Sequence, residues 1–327
     1  MGKAYSLADL AELAGVAREA VSSWDTEGRL GDPARDEAGR RVYGFEQAER
    51  AVALGGRAVR RRISVVNQKG GVGKTTSVFS LSAAFAERGR RVLVVDLDAQ
   101  ANLTSSFGYD PDTLDKTSED LLTDERVRPE DVILETAIEG VHLVPADIRL
   151  CRVDVKIHEM FMRELILQNK LRHLFQHYHV ILFDCPPNLS KVTINALMAS
   201  DEVLVPVETQ SYSIKALSDL TNTFSLIRQK MNHALRVWIL PTKVDRTSAL
   251  ANEFLVALER AFGERLLPSV SIDPEIVKAP MFYEPVTRAF PSSRSAKEYA
   301  RLARFLLLPD AERDQQARSA DRLKPVD

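Results

Sequence analysis

The sequence predicts an α/β protein with a mostly parallel, doubly wound sheet of the P-loop type, preceded by a small helical module. Three observations predict this fold. Residues 63–66 are a short apolar run that leads into a glycine-rich loop and then into a helical pattern. Residues 5–24 have the spacing of two short helices around a turn. Further strand-like apolar runs alternate with helical stretches at residues 91–96, 140–145, 179–184, 201–207 and 236–241.

The composition limits the classes of partner. The 327 residues are 45% apolar and 28% charged, with a net charge of −2, so any contact with nucleic acid must use a local basic patch. Cys151 and Cys185 form neither a disulfide framework nor a metal-ligand spacing, which fits a reducing cytoplasm. No apolar stretch approaches the length of a membrane span, and no signal peptide is expected.

The glycine-rich loop has the residue types that a bound triphosphate requires. Its glycines allow the backbone N–H groups to face phosphate oxygens, and the following helix adds the positive end of its dipole. Lys74 is expected to contact the β- and γ-phosphates, and the Thr75 hydroxyl to ligate Mg²⁺. An ordinary glycine turn is the alternative. The predicted nucleotide-binding residues of the loop are Lys69, Gly70, Gly71, Val72, Gly73, Lys74, Thr75 and Thr76.

Carboxylates follow two of the predicted strands. Asp96 and Asp98 stand two residues apart, so their side chains point the same way at the strand end, and Asp184 ends the strand at residues 179–184. Beside a magnesium nucleotide, such carboxylates are placed to hold the metal through water or to orient an attacking water. A pair of aspartates that is only solvated is the alternative for Asp96 and Asp98. No glutamate follows Asp184, so the usual base of such a strand is missing.

The glycine-rich loop contains a second lysine, Lys69. With this lysine the loop resembles the variant Walker A motif of the ParA/MinD family of ATPases. The resemblance covers about residues 62–308. In that family this lysine reaches across a dimer interface to the partner's nucleotide. The segment 96–104 resembles the family's second acidic motif, although Ala99 stands where proline is usual. The resemblance implies ATP and Mg²⁺ as cofactors, slow hydrolysis, and catalytic roles for Lys69, Lys74 and Asp98.

The same resemblance implies further site residues. Asp98 would position the attacking water, Asp96 would support the magnesium shell, and Asp184 would hold magnesium through water. Thr242 and Lys243 follow the strand at residues 236–241 and would lie near the adenine base. Basic residues near the C-terminal region would bind DNA without sequence choice, or would only be solvated. The candidates are Arg260, Arg265, Lys278, Arg294 and Lys297.

The stretch from Ala8 to Glu49 resembles the winged helix-turn-helix of MerR-type regulators. Ser6 is expected to cap its first helix and Gly15 to end it. In such regulators the second helix enters the major groove and an arginine-rich wing contacts phosphate. A small helical domain that contacts proteins is the alternative. By this resemblance the residues that face DNA would be Arg18, Ser22, Ser23, Arg40 and Arg41.

These patterns predict four segments. They are a winged helix-turn-helix at 1–50, a basic linker at 51–62, an ATPase domain at 63–308 and a polar, disordered tail at 309–327. The linker arginines would touch phosphate or be solvated. Within the ATPase domain, residues 154–178 are expected to form one long helix. The tail lacks the apolar face of a membrane-binding helix, so membrane attachment is not expected.

The resemblance implies a ParA-type partition ATPase that is cytoplasmic and associated with the nucleoid. ATP would close a homodimer on DNA, and a ParB-like centromere-binding protein would stimulate hydrolysis and release. The N-terminal module would bind an operator. Two alternatives stay open at this point: a transcriptional repressor switched by nucleotide, and an ATPase that positions a protein cargo on the nucleoid. The cargo itself is not identified by the sequence.

Overall fold

The computed structural model describes residues 3–209 and 214–318. The N-terminal module begins with two helices, as predicted. The Ser6 hydroxyl accepts the N–H of Asp9 at 3.2 Å, and the Asp9 carboxylate accepts the N–H of Ser6 at 2.7 Å, which confirms the predicted cap. Gly15 ends the first helix in the left-handed region. The elements of the module are α1 (Leu7–Ala14), α2 (Arg18–Thr26), β1 (Ala34–Arg35), β2 (Arg41–Val42) and α3 (Phe45–Leu54).

The remaining chain alternates strands with helices. The strands are β3 (Arg61–Val65), β4 (Val92–Asp96), β5 (Leu134–Glu135), β6 (Val141–Val144), β7 (Val180–Asp184), β8 (Glu202–Glu208) and β9 (Arg236–Thr242). The helices are α4 (Lys74–Ala86), α5 (Asn102–Ser106), α6 (Ser118–Thr123), α7 (Val153–Lys156), α8 (Ile166–Leu171), α9 (Lys191–Ala199), α10 (Ile214–Lys230), α11 (Ala249–Phe262), α12 (Pro274–Lys278), α13 (Val286–Ala289), α14 (Arg294–Leu306) and α15 (Asp310–Ala317).

The strands β3 to β9 form one sheet in the order β5-β6-β4-β7-β3-β8-β9, and only β5 is antiparallel to its neighbour in the described residues. Successive side chains of each central strand pack on opposite faces. Val65 lies on the face covered by α4 and α14, whereas Val95 lies on the face covered by α8 to α11. Both faces are therefore buried, which confirms the predicted doubly wound α/β fold.

The register of the sheet brings three chain segments to one edge. Asp184 of β7 pairs with Val65 of β3 on one side and with Asp96 of β4 on the other. The glycine-rich loop leaves β3 directly after Val65. The carboxyl ends of parallel strands meet at the same edge of a sheet, so the loop and both strand-end carboxylates lie side by side.

The N-terminal module packs closely on the sheet domain. The Phe45 ring is buried in the same apolar cluster as Val141, and it lies directly over Gly140, where any Cβ would collide with the ring. Gly140 also has a φ of +82°, a conformation that favours glycine. The Tyr5 hydroxyl donates to the Ala86 carbonyl at 3.4 Å. The N-terminal module and the sheet domain are therefore joined by a buried apolar contact as well as by the connecting chain.

The boundaries of the linker differ from the sequence-based expectation of 51–62. Helix α3 continues to Leu54 and strand β3 begins at Arg61, so the connection comprises residues 55–60. Arg61 is 8% exposed, and its guanidinium donates to the carbonyls of Leu306 at 3.0 Å and Leu308 at 2.7 Å. Its charge is paired with Glu202 at 3.4 Å and with Asp310 at 2.8 Å, so Arg61 is part of the interior although the local sequence alone presents it as solvated.

The prediction of a disordered tail from residue 309 is wrong for its first part. Residues 310–317 form helix α15, in which Arg313 is 1% exposed. Its guanidinium donates both to Glu202 Oε1 at 2.7 Å and to Glu202 Oε2 at 2.9 Å. Nη1 is the donor to both oxygens, and this buried ion pair fixes a segment whose polar composition predicts disorder. The last part of the predicted tail, residues 319–327, lies outside the described residues.

The prediction of one helix over residues 154–178 is also wrong. The segment is divided into α7, α8 and a 3₁₀ turn at Arg172–Gln176, and Met162 has a φ of +51°. The Asn195 side chain accepts the N–H of Leu167 at 3.1 Å and donates to the Arg163 carbonyl at 2.7 Å. These tertiary hydrogen bonds replace those of a continuous helix.

Within the described residues no helix combines the length and the apolar character needed to cross a bilayer.

Candidate nucleotide site

The glycine-rich loop is held in a conformation that leaves its outer surface open. Gly71 and Gly73 have φ values of +73° and +89°, which other residues adopt only with strain. A Cβ at Gly70 or Gly71 would meet no atom within 4 Å, so the space above these residues is free for phosphate oxygens. The carboxamide of Asn67 anchors the start of the loop, since it accepts the N–H of Lys69 at 3.0 Å and donates to the Pro206 carbonyl at 2.6 Å.

Lys74 begins helix α4, directly after the loop. The residue is 7% exposed, and Nζ lies 3.5 Å from the Lys69 carbonyl, so the side chain runs back under the loop that it follows. This places the ammonium group and the first N–H groups of α4 on the same side. The arrangement suits a triphosphate, which needs positive charge and N–H donors that converge on its oxygens.

Thr75 and Asp184 form a direct hydrogen bond, from Thr75 Oγ1 to Asp184 Oδ2 at 2.7 Å. Asp184 is 1% exposed, and its Oδ1 has no hydrogen-bond partner among the described residues. Burial, and next the charge of Asp96, raise the pKa of Asp184. An unpartnered carboxylate oxygen beside a hydroxyl fits Mg²⁺, which binds proteins through one or two such oxygens together with nucleotide phosphates. The described residues contain no cluster of three acidic, histidine or cysteine side chains that would form an all-protein metal cage.

Asp96 has a different environment from Asp184. Its Oδ2 accepts the N–H of Thr104 at 3.0 Å and the Thr104 hydroxyl at 2.7 Å, and its Oδ1 accepts the N–H of Asp98 at 3.1 Å. Burial raises the pKa of Asp96 to about 6, against the opposing effect of these hydrogen bonds. Both oxygens therefore hold the turn after β4. A role of Asp96 in the magnesium shell stays a prediction, and the geometry gives this residue a supporting function.

Asp98 lies in the turn that Asp96 holds. It is half-buried, and its Oδ1 accepts the N–H of Gln100 at 3.0 Å, which orients the carboxylate. The turn follows β4 at the same edge of the sheet as the loop. The predicted position of Asp98 beside the nucleotide loop therefore agrees with the fold, and its action on water stays a prediction.

Glu208, at the end of β8, lies between two lysines of the site. Lys69 Nζ is 3.5 Å from Glu208 Oε2, and Lys243 Nζ is 3.7 Å from Glu208 Oε1. The Lys69 side chain is 35% exposed. In the single chain, Lys69 thus faces its own glutamate. Sequence reasoning missed Glu208, although its position at a strand end resembles that of Asp96 and Asp184.

Thr242 lies against the loop. It is 3% exposed and its hydroxyl donates to the Val72 carbonyl at 2.8 Å, so it supports the backbone of the loop. Lys243 follows it with a φ of +51°. The predicted contacts of Thr242 and Lys243 with the adenine base stay predictions. In the structure, the Thr242 hydroxyl is hydrogen-bonded to the Val72 carbonyl.

The predicted DNA-binding residues lie on separate elements. Arg18, Ser22 and Ser23 are exposed on α2, and Arg260, Lys278 and Arg294 are exposed on α11, α12 and α14. Their contact with DNA stays a prediction. The two arginines near the β1–β2 hairpin have acidic partners inside the module. Arg40 pairs with Asp36 at 2.8 Å, and Arg41 pairs with Asp25, whose side chain is only 2% exposed.

Comparison with known proteins agrees with this geometry. A family model described as an AAA domain matches residues 60–237, and one described as MerR HTH family regulatory protein matches residues 5–54. The chain is 35% identical over 244 residues to the sporulation initiation inhibitor protein Soj of Bacillus subtilis, which covers 74% of this chain and 96% of that protein. It is 33% identical over 283 residues to the chromosome partitioning protein ParA of Myxococcus xanthus, with coverages of 86% and 98%.

Solved structures show the same relationship. A cobyrinic acid a,c-diamide synthase from Mycobacterium smegmatis, with a bound ATP analogue and magnesium, has a TM-score of 0.68 and 31% identity and covers 82% of this chain and 100% of that one. The septum site-determining protein MinD of Pyrococcus horikoshii, with Mg-ADP, has a TM-score of 0.63 and 26% identity, with coverages of 76% and 96%. The chain therefore belongs to the ParA/MinD family of P-loop ATPases and carries a MerR-type helix-turn-helix module at its N-terminal end.

Proposed function

We propose that the protein is a ParA-type partition ATPase that binds ATP and Mg²⁺, pairs into a homodimer and binds DNA without sequence choice. Hydrolysis stimulated by a ParB-like partner releases it, and repeated cycles on the nucleoid move a plasmid or a chromosome region. The observation that carries this proposal is Lys69. Its ammonium lies beside the phosphate loop, but within the single chain it forms a partly exposed pair with Glu208 at 3.5 Å, so the lysine can turn to a second subunit at low cost.

The residues of the site have distinct tasks in this proposal. The loop N–H groups and Lys74 bind the phosphates, while Thr75 and Asp184 hold Mg²⁺, which neutralises charge on the γ-phosphate when bound. Asp98, oriented by Gln100, accepts a hydrogen bond from the attacking water. Because Cys185 follows Asp184 where a glutamate base would stand, hydrolysis is slow until a partner acts.

Lys69→Ala is expected to abolish the ATP-dependent dimer and to retain ATP binding, because the removed ammonium is assigned to the partner's nucleotide. Light scattering during gel filtration with a non-hydrolysable ATP analogue measures the dimer, and fluorescent nucleotide titration measures binding. Lys116→Ala, an exposed lysine outside the site, is the control. A normal ATP-dependent dimer of Lys69→Ala would remove the intersubunit role of this lysine.

Operator binding by the N-terminal module is part of the proposal. Arg18→Ala is expected to weaken sequence-specific DNA binding about tenfold, the effect of one lost base contact, and to leave ATP-dependent non-specific binding intact. Arg41 is unsuitable for this test, since its removal would leave the buried Asp25 carboxylate unpaired. Gel-shift titration with selected DNA sites measures the effect, and Arg29→Ala is the control within the module. Failure of the wild-type protein to select any DNA site would favour a protein-binding module.

A nucleotide-switched repressor is the second candidate function. The packing of Phe45 over Gly140 favours it, because a movement of the ATPase domain on nucleotide binding would reach the N-terminal module through this buried contact. The two functions are separated by measuring operator affinity with ADP, with an ATP analogue and without nucleotide. A repressor switch requires a large change in operator affinity, and partition alone does not.

A further inference from the structure

A recess between the N-terminal module and the ATPase domain is lined mainly by arginines. It has a volume of about 480 Å³, and its charged lining consists of Glu12, Arg57, Arg88, Arg90 and Arg304, with leucines on the remaining wall. Four guanidinium groups face one carboxylate, so the recess has an excess of positive charge. None of these residues belongs to the nucleotide site described above.

Arg90 is the most unusual member of this lining. It is 3% exposed, and its Nε and Nη1 have no hydrogen-bond partner among the described residues. Burial, and next the charges of Arg88 and Arg57, lower the pKa of Arg90 to about 10, so the side chain is still charged at neutral pH. A buried guanidinium with unsatisfied donors is unfavourable unless an anion compensates it.

The carboxylates near the recess are already shared. Glu12 Oε1 is 3.8 Å from Arg88 Nη1 and 2.5 Å from Arg304 Nη2, so one carboxylate serves two arginines. Arg57 Nη2 is 3.9 Å from Glu312. These pairs leave Arg90 without an anionic partner. Among the described residues, no carboxylate forms an ion pair with Arg90 that would compensate its charge.

We propose that this recess binds a small phosphorylated polyanion with at least two phosphate groups, such as a nucleoside polyphosphate or inorganic triphosphate. Planar guanidinium groups match phosphate oxygens in a bidentate geometry, and the leucine wall can accept an apolar part of the ligand. A small ligand fits better than a DNA backbone, because Arg90 is deeply buried and the side chain of Arg88 is only 20% exposed.

The position of the recess gives the ligand a regulatory effect. Glu12 belongs to α1 of the module, Arg88 and Arg90 follow α4, and Arg304 belongs to α14. Glu12 is the carboxylate through which α1 contacts Arg88 and Arg304, so a polyanion bound here competes with Glu12 for these two arginines. Its binding would weaken these ion pairs between α1 and the ATPase domain without occupying the phosphate loop.

The test is calorimetric titration of the full chain with inorganic triphosphate and, separately, with orthophosphate. Triphosphate should bind saturably and more tightly than orthophosphate. Binding should persist in Lys74→Ala, which disables the phosphate loop, and should weaken about tenfold or more when Arg90→Gln or Arg304→Gln is added to Lys74→Ala. Arg60→Gln, on the same connection but outside the recess, is the matched control and should bind as the wild type does.

Stability provides an independent readout. Arg90→Gln removes an uncompensated charge, so its melting temperature without added anions should equal or exceed that of the wild type. Triphosphate should raise the melting temperature of Lys74→Ala, but not that of Lys74→Ala combined with Arg90→Gln. Absence of saturable triphosphate binding, equal affinity for orthophosphate, or equal weakening in Arg60→Gln would overturn the proposal. Loss of DNA binding in Arg304→Gln with unchanged triphosphate affinity would overturn it in favour of a DNA contact.

Discussion

Lys74→Ala is expected to abolish detectable binding of ATP, with a loss of affinity of about 100-fold or more. The side chain is 7% exposed beneath the loop, and its ammonium is the buried cation directly adjoining the phosphate cradle. Loss of charge-assisted hydrogen bonds in such a position costs about 3 kcal/mol, which is roughly two orders of magnitude in affinity. Titration with a fluorescent ATP analogue in the presence of Mg²⁺ measures the effect.

Two other lysine variants serve as comparisons for the ATP binding of Lys74→Ala. Lys116→Ala changes an exposed lysine outside the site and should bind ATP normally, whereas Lys69→Ala should retain binding but not the dimer. Circular dichroism of Lys74→Ala should match that of the wild type, since the removed contact within the chain is a 3.5 Å hydrogen bond. Tight ATP binding by a folded Lys74→Ala protein would contradict the assignment of the loop.

Arg313→Ala is expected to destabilise the protein by about 3 kcal/mol, because it removes the Nη1 that donates to both oxygens of the buried Glu202 carboxylate and leaves only the longer pair with Arg61 at 3.4 Å among the described ion pairs of Glu202. Arg313 is also 5.1 Å from the centre of the Trp238 ring, and Trp238 Nε1 donates to Glu202 at 2.7 Å. The substitution therefore disturbs a connected buried network and not a single pair. Urea unfolding followed by tryptophan fluorescence measures the change.

Arg318→Ala is the matched control for this measurement. It removes an arginine that follows the same helix, but its pair with Glu264 at 3.3 Å is exposed on both sides. Such a pair contributes about 0–1 kcal/mol. Equal unfolding midpoints for Arg313→Ala and Arg318→Ala would show that α15 is not held by the buried pair.

The parts of this structure that follow from local patterns could be predicted. The loop at Lys69 to Thr76 and the strand-end carboxylate of Asp184 are each defined by neighbouring residues, and the alternation of apolar segments defines the parallel sheet. The family matches confirm the family and fold that these patterns predicted, and the cap formed by Ser6 follows from residues three positions apart.

The remaining features depend on residues far apart in the chain. Arg313 appears as a charge in a polar tail, and only its partner 111 positions away makes it interior. Glu208 becomes a site residue because Lys69 and Lys243 lie on either side of it. The division of residues 154–178 depends on Asn195, which lies on a later helix. Local periodicity carries no information on such contacts, so the sequence alone could not predict them.

The insertion of Phe45 over Gly140 has a consequence for genetic dissection of the protein. Cutting the chain ahead of β3 would strip this ring from the interior and expose the apolar floor beneath it. Any defect of a truncated ATPase fragment could then result from this newly exposed apolar surface as well as from the loss of the helix-turn-helix module. Single substitutions on the outer face of α2 leave this apolar surface covered, so they test the DNA-binding role of the module more specifically than truncation does.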